Sequence, residues 1–139
     1  MAVPLTPQEI AALHHHATEA AHNSYSPYSH FRVGAAILLE TGQIITGTNV
    51  ENASYRLTSC AEQAAIAAAV TAHGPAIRIR AVAVANLNGA ACMPCGACRQ
   101  TILEFASPET AIFYPNASGE IVSTTLAALL PAAFRLLPE

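Results

Sequence analysis

Ser59-Cys60-Ala61-Glu62 and, further along, Pro94-Cys95-Gly96-Ala97-Cys98 are the two stretches around which the rest of this sequence arranges itself. Between them they offer three thiols and one carboxylate. Zinc closes its tetrahedron with four protein ligands where it is structural, and keeps three plus a water where it is catalytic. Cys60, Cys95 and Cys98 provide three thiolates, and no fourth Cys or His stands at ribbon or finger spacing. Glu62 lies two residues from Cys60, and residues so spaced on a helix do not share a face. It is therefore poorly placed as a fourth ligand and well placed to exchange protons with a metal's water. Cys95 and Cys98, three apart, share a helix face, while Cys60 opens another helix, so an ion held by all three would lie between two helix N-termini. Three thiolates around Zn²⁺ leave a net negative charge, which the positive helix ends oppose.

Working outward, the elements alternate. Thr6-Pro7-Gln8-Glu9 is a capping box with Pro at the first helical position and predicts a helix from Pro7 to about His22. Asn23 to Ser29 reads as loop. Val33 to Glu40 and Gln43 to Asn49 flank Thr41-Gly42 as an antiparallel hairpin, with apolar runs that predict burial on both faces. Glu51 to Thr58 is a polar loop. Ser59 is placed to cap a helix from Cys60 to His73, ended by Gly74-Pro75. Then come a short strand at Ala81 to Ala85, a helix from Cys95 to Phe105, strands at Ala111 to Tyr114 and Glu120 to Ser123, and a short helix at Leu126 to Leu130. The order αββαβαββα favours a sheet covered by helices on both faces. The length of 139 residues fits one domain spanning 1–139.

Composition narrows the function classes. No window approaches the eighteen unbroken apolar residues of a membrane span. Met1 to Ile10 lacks the basic and apolar blocks of a secretory leader, which predicts a cytoplasmic protein. In a reducing compartment four cysteines serve better as ligands than as disulfides. A net charge of −3 with six Lys plus Arg is a poor endowment for gripping nucleic acid. Arg78-Ile79-Arg80 reads as the polar edge of a strand. The run His14-His15-His16 radiates to different faces of a helix and reads as surface. His30 reads as a structural residue, because the ligand set is complete without it. Cys92 stands in the loop before a helix, where a free cysteine behaves as a small hydrophobe.

With these residues in view, the sequence resembles the small homotetrameric zinc-dependent cytidine deaminases over nearly its whole length. The marks are Asn23-Ser24-Tyr25-Ser26-Pro27-Tyr28-Ser29-His30-Phe31, Val33-Gly34-Ala35-Ala36, Asn49-Val50-Glu51-Asn52-Ala53-Ser54-Tyr55, Cys60-Ala61-Glu62, Pro94 to Gln100 and Leu129-Leu130-Pro131-Ala132-Ala133-Phe134. The fourth and fifth of these, Cys60-Ala61-Glu62 and Pro94 to Gln100, carry the zinc-deaminase pattern of three cysteines and a non-ligand glutamate. The resemblance implies an α/β fold, a three-layer α/β/α sandwich with a mixed five-stranded sheet. It also implies hydrolysis of cytidine and deoxycytidine to uridine and deoxyuridine with release of ammonia, a step of pyrimidine salvage. By the same resemblance Cys60, Cys95 and Cys98 bind one Zn²⁺ per subunit and Glu62 shuttles protons. Phe31 lies against the base, Ala61 is among the substrate contacts, and Asn49 and Glu51 hold ribose hydroxyls. Tyr55 and Phe134 are lent to a neighbouring subunit's site, so the partners implied are a small nucleoside and further copies of the chain, with no nucleic acid and no membrane.

Three other readings share some of these residues. A deaminase of a modified cytosine nucleoside or of an antibiotic of the blasticidin S kind would use the same zinc chemistry, as would a polynucleotide-editing deaminase, which the acidic charge disfavours. A non-enzymatic zinc or thiol-disulfide module built on Cys95 and Cys98 leaves Cys60, Glu62, Asn49 and Glu51 unexplained.

One position departs from the resemblance. Gln63 follows Glu62 where the family usually has an arginine that offsets the thiolate charge. An amide can donate hydrogen bonds but brings no charge, so the site leans on its helix ends and on Arg99. Restoring the charge with Gln63→Arg is expected to move the acidic limb of the pH-rate profile to lower pH; an unmoved limb would remove the charge argument.

Overall fold

Thr6 and Glu9 cap the first helix reciprocally. The Thr6 hydroxyl accepts from the Glu9 N–H (3.1 Å) and the Glu9 carboxylate from the Thr6 N–H (2.9 Å), an N-cap arrangement worth about 1 kcal/mol. The computed structural model describes residues 4–137; residues 1–3, the start of the stretch read above for a leader, and residues 138–139 lie outside them. The elements are α1 (Pro7–Ala21), β1 (Val33–Leu39), β2 (Ile44–Thr48), α2 (Ala61–His73), β3 (Ile79–Asn86), α3 (Gly96–Leu103), β4 (Ala111–Pro115), β5 (Ile121–Thr125) and α4 (Leu126–Leu129). Their order is the expected one. The polar loop before α2 adds a single 3₁₀ turn at Tyr55–Leu57.

The five strands form one mixed sheet in the order β2-β1-β3-β4-β5. β1 is antiparallel to both β2 and β3, β3 and β4 are parallel, and β5 returns antiparallel to β4. A parallel pair needs a crossover, which α3 supplies. All seven residues of β1 are buried, because alternate side chains meet different helix layers. Ala35, Ile37 and Leu39 join a core with Ala61, Ala65, Ile66 and Ala69 of α2, Ile102 of α3 and Leu126 of α4. Ala36 and Leu38 face the other way, onto Leu13 and Ala17 of α1. Burial on both faces thus holds for β1; β2, at the sheet edge, is only half-buried.

Of the boundaries that differ from expectation, three do so for local reasons. Cys60, not Ser59, is the N-cap of α2, since its extended backbone (φ −75°, ψ 156°) is where the helix turns in. Cys95 likewise caps α3 rather than lying within it. β3 begins at Ile79, so Arg80 belongs to the strand and pairs with Glu9 of α1 at 3.5 Å.

Two glycines set the spacing of the layers. A Cβ at Gly34 would stand 1.9 Å from the Ala17 carbonyl oxygen and 2.6 Å from the Ala21 nitrogen of α1, and one at Gly47 would stand 2.3 Å from the Ala65 nitrogen of α2. These neighbours are helix backbone and cannot step aside. Gly34→Ala is therefore expected to lower unfolding stability by about 2 kcal/mol or more, read by denaturant titration, while Gly96→Ala, with open space around its Cβ, stays within about 0.5 kcal/mol of the parent.

Candidate active site

Cys60 and Cys95 each occupy the N-cap of a helix, and Cys98 follows in the first turn of α3. The three sulfurs lie within 4.8 Å of one another. Among the described residues this is the one convergence of three or more His, Cys, Asp or Glu side chains suited to a metal. Zn–S bonds of about 2.3 Å in a tetrahedron place sulfurs about 3.8 Å apart, a distance these side chains reach by small rotations. The donor set therefore fits zinc, and zinc is its cofactor. Cys92 stands outside the set although it borders the same cavity.

Protons in the metal-free cluster are shared unequally. The Cys98 side chain hydrogen-bonds Cys60 and draws the Cys60 thiol down to about 7, against the opposing effect of burial. The same hydrogen bond, with burial and the Glu62 charge, pushes Cys98 up. Burial and the nearby Glu62 raise Cys92 to about 11, so it stays a neutral thiol at pH 7 and forms part of the apolar wall.

Glu62 is 4% exposed and reaches the cavity from the first turn of α2. Burial raises its carboxyl above the ordinary range, partly opposed by a hydrogen bond from the Cys98 side chain. A carboxyl with raised proton affinity beside a metal cluster is suited to acid and base work. The cavity holds about 230 Å³ and is walled by Phe31, Val33, Asn49, Thr58, Ser59, Ala61, Cys92 and Met93 around Cys60, Cys95 and Glu62. A larger depression of about 330 Å³ at the far end of α2, near His73 and Arg78, gathers no comparable chemistry.

The expected substrate contacts divide between two adjoining depressions. Phe31, Asn49 and Ala61 border the cysteine cavity. Glu51 and Tyr55 border the next one with Tyr28 and Ser29, and Thr58 is common to both. Phe134 lines neither and is 69% exposed; Tyr55 is 80% exposed.

Asn49 and Glu51 are held by a segment that the sequence shows only as a loop. The Asn49 amide oxygen accepts from the Ser24 hydroxyl and from the Val33 N–H (3.0 Å), and its nitrogen donates to the Phe31 carbonyl (2.8 Å). One amide hydrogen remains for a ligand. Glu51 accepts from the Tyr28 and Ser29 N–H groups (3.0 and 3.2 Å) and from the Ser29 hydroxyl, and the Ser29 hydroxyl foremost holds its carboxyl below the usual range. Serines at 24 and 29 are thus positioning residues that sequence reasoning missed; their spacing in Asn23-Ser24-Tyr25-Ser26-Pro27-Tyr28-Ser29 was the available signal.

The two residues expected to serve the thiolates are engaged elsewhere. The Gln63 amide oxygen accepts the Cys60 N–H at 3.2 Å, closing a capping pair at the start of α2. Arg99 donates to the Pro94 carbonyl (2.8 Å), the Leu129 carbonyl (2.9 Å) and the Met93 sulfur (3.0 Å), and none of these bonds reaches a cysteine side chain. His30 bonds through its backbone, its carbonyl accepting from the Asn88 amide (2.9 Å), and His14 to His16 lie on α1, of which His15 and His16 are exposed.

Comparison with known proteins agrees with this geometry. A family model described as the cytidine and deoxycytidylate deaminase zinc-binding region matches residues 7–114. The chain is 45% identical over 116 residues to a cytidine deaminase of Sporosarcina psychrophila, covering 84% of each. It is 34% identical over 125 residues to a blasticidin-S deaminase of Bacillus cereus, covering 85% of this chain and 86% of that one. A crystal structure of cytidine deaminase from Mycobacterium tuberculosis superposes with a TM-score of 0.81 at 43% identity, covering 92% of this chain and 98% of that one.

The ligand set is checked by metal analysis of single variants. Cys60→Ala, Cys95→Ala and Cys98→Ala are each expected to lose stoichiometric zinc, whereas Cys92→Ala keeps it; zinc loss from Cys92→Ala would place a fourth thiolate on the metal.

Proposed function

Because the chain belongs to the cytidine and deoxycytidylate deaminase family, we propose that its residues 1–139 act as one domain that hydrolyses cytidine and deoxycytidine to uridine and deoxyuridine, releasing ammonia. The observation that carries this reading is the convergence of three sulfurs at two helix N-termini, two of them lining a cavity with the buried Glu62.

Cytosine C4 is a weak electrophile, and its amine leaves readily only when protonated. Both obstacles are removed by proton transfer. Zinc bound by Cys60, Cys95 and Cys98 would supply Lewis acidity and bring the pKa of a water down to about 7. Glu62 takes the proton of the attacking water on a carboxylate oxygen and delivers it to ring N3, then carries the second proton to the exocyclic amine, which departs as ammonia. Phe31 and Val33 wall the base and keep bulk water from it. Asn49 offers its remaining amide hydrogen to a ribose hydroxyl, and Glu51, one depression further out, accepts from another. The backbone of Ala61, at the start of α2, borders the base end of the cavity.

The same reading assigns an assembly and a setting. A homotetramer in which Tyr55 and Phe134 complete a neighbour's site accounts for two aromatic side chains left largely in solvent, alongside exposed Leu57, Leu136 and Leu137. A cytoplasmic role in pyrimidine salvage suits four free thiols. No helix among the described residues is long and apolar enough to cross a membrane.

Ammonia release from cytidine, deoxycytidine and blasticidin S by the zinc-loaded protein tests the proposal, with Glu62→Gln alongside. The variant is expected to retain zinc and bind nucleoside while losing at least about 10²-fold in turnover. Near-normal turnover would end the proton assignment, and release from blasticidin S in preference to both nucleosides would move the substrate to the antibiotic.

A further inference from the structure

The two side chains that follow the last cysteine of α3 both leave the helix for the C-terminal segment. Arg99 reaches back to the Pro94 carbonyl, immediately before Cys95, and forward to the carbonyl of Leu129, the last residue of α4. Gln100 donates its amide to the Phe134 carbonyl at 2.9 Å. A third bond ties the same segment to the other end of α3, from the Arg135 guanidinium to the Ala106 carbonyl (2.9 Å). Residues 131–134 are all exposed, so little burial holds them. Their seat depends on bonds to α3 and its flanks.

α3 itself is short. Eight residues make about two turns, and a helix of that length has little stability of its own in water. Its N-cap and first turn carry two of the three sulfurs, Cys95 and Cys98, which meet that of Cys60 within 4.8 Å. A ligand that fixes Cys95 and Cys98 therefore also fixes the helix from which Arg99 and Gln100 extend. Arg99 suits the task because a planar guanidinium holds several acceptors in one geometry, which an ammonium cannot.

From this arrangement we infer that Arg99 and Gln100 are positioning residues that link metal occupancy to the seat of the C-terminal segment, so that zinc fixes Phe134 and the seated segment in turn tightens zinc. The inference rests on Cys95 and Cys98 being metal ligands. The linkage is reciprocal by thermodynamic necessity. If Phe134 serves a neighbouring copy, the metal of one subunit prepares the site of the next.

A tryptophan introduced by Leu136→Trp tests the link, since the chain contains none of its own and Leu136 is 83% exposed. Its fluorescence anisotropy is expected to fall when a chelator strips zinc and to recover on re-addition. Adding Gln100→Ala or Arg99→Lys keeps anisotropy low in both states. Competition with a chromogenic chelator is expected to show zinc held about 5-fold or more less tightly in Gln100→Ala, at or above the lower end of ordinary site-to-site coupling. Anisotropy unmoved by zinc, or unaltered zinc affinity in Gln100→Ala, overturns the inference alone. A chain that takes up no zinc at all overturns it together with the ligand assignment.

Discussion

Three sulfurs from two distant stretches can meet only if two helices begin at the same place, and that requirement organises this molecule. The parallel pairing of β3 with β4 sends the chain out over the carboxyl end of β3 and back through α3, so α3 must start at that end. α2 reaches the same point on the same face of the sheet, lying on β1 and β2. It comes close enough because Gly47 presents no side chain to Ala61 and Ala65. Sheet topology thus places one N-terminus and a close backbone contact places the other.

Electrostatics explains why N-termini are the right meeting point. Three thiols and a carboxyl this close together, with Cys98 and Glu62 buried, resist all being charged without a cation. In the metal-free cluster the conflict appears as a Cys60 thiol pulled down while Cys98 and Glu62 are pushed up. A divalent ion resolves it, and the residual negative charge then rests against the unpaired N–H groups of two helices. Neither the Gln63 nor the Arg99 side chain bonds a cysteine sulfur directly. Gln63 is a capping partner of the Cys60 backbone, and the guanidinium of Arg99 is committed to two carbonyls and a thioether. Backbone dipoles are what remain to offset the thiolates.

How much of this was legible in the sequence follows from the range of each interaction. Element order and the sheet class were, because capping at Thr6, the break at Gly74 and the apolar run of β1 are local signals. The meeting of Cys60, Cys95 and Cys98 was, because metal chemistry restricts residue type and spacing severely. The exact caps were not: Ser59 is the stronger capping residue by propensity, yet the loop's pairing of Ser59 with Val50 in a bridge carries the chain one residue further before the helix begins. Arg99 was legible as a charge and not as a tether, since its acceptors are carbonyls as far away as Leu129, and any residue type carries a carbonyl. The same holds for Ser24 and Ser29, whose partners lie more than twenty residues on.

The loop before β1 shows how such unremarkable residues shape the cavity beside the cysteines. His30 is the one non-glycine with positive φ (58°) among the described residues, a conformation that histidine tolerates better than most. It turns the chain between Ser29, bonded to Glu51, and Phe31, which faces the cavity. Asn88 locks the turn from outside, donating to the His30 carbonyl and accepting the Arg32 N–H at 3.0 Å. Asn49 locks it from inside through the Phe31 carbonyl and the Val33 N–H. Phe31 is thus fixed by backbone bonds on both sides, and the wall it presents is set before any ligand arrives. A β-branched residue in place of His30 would resist that turn and tilt the wall, although its side chain never touches the cavity.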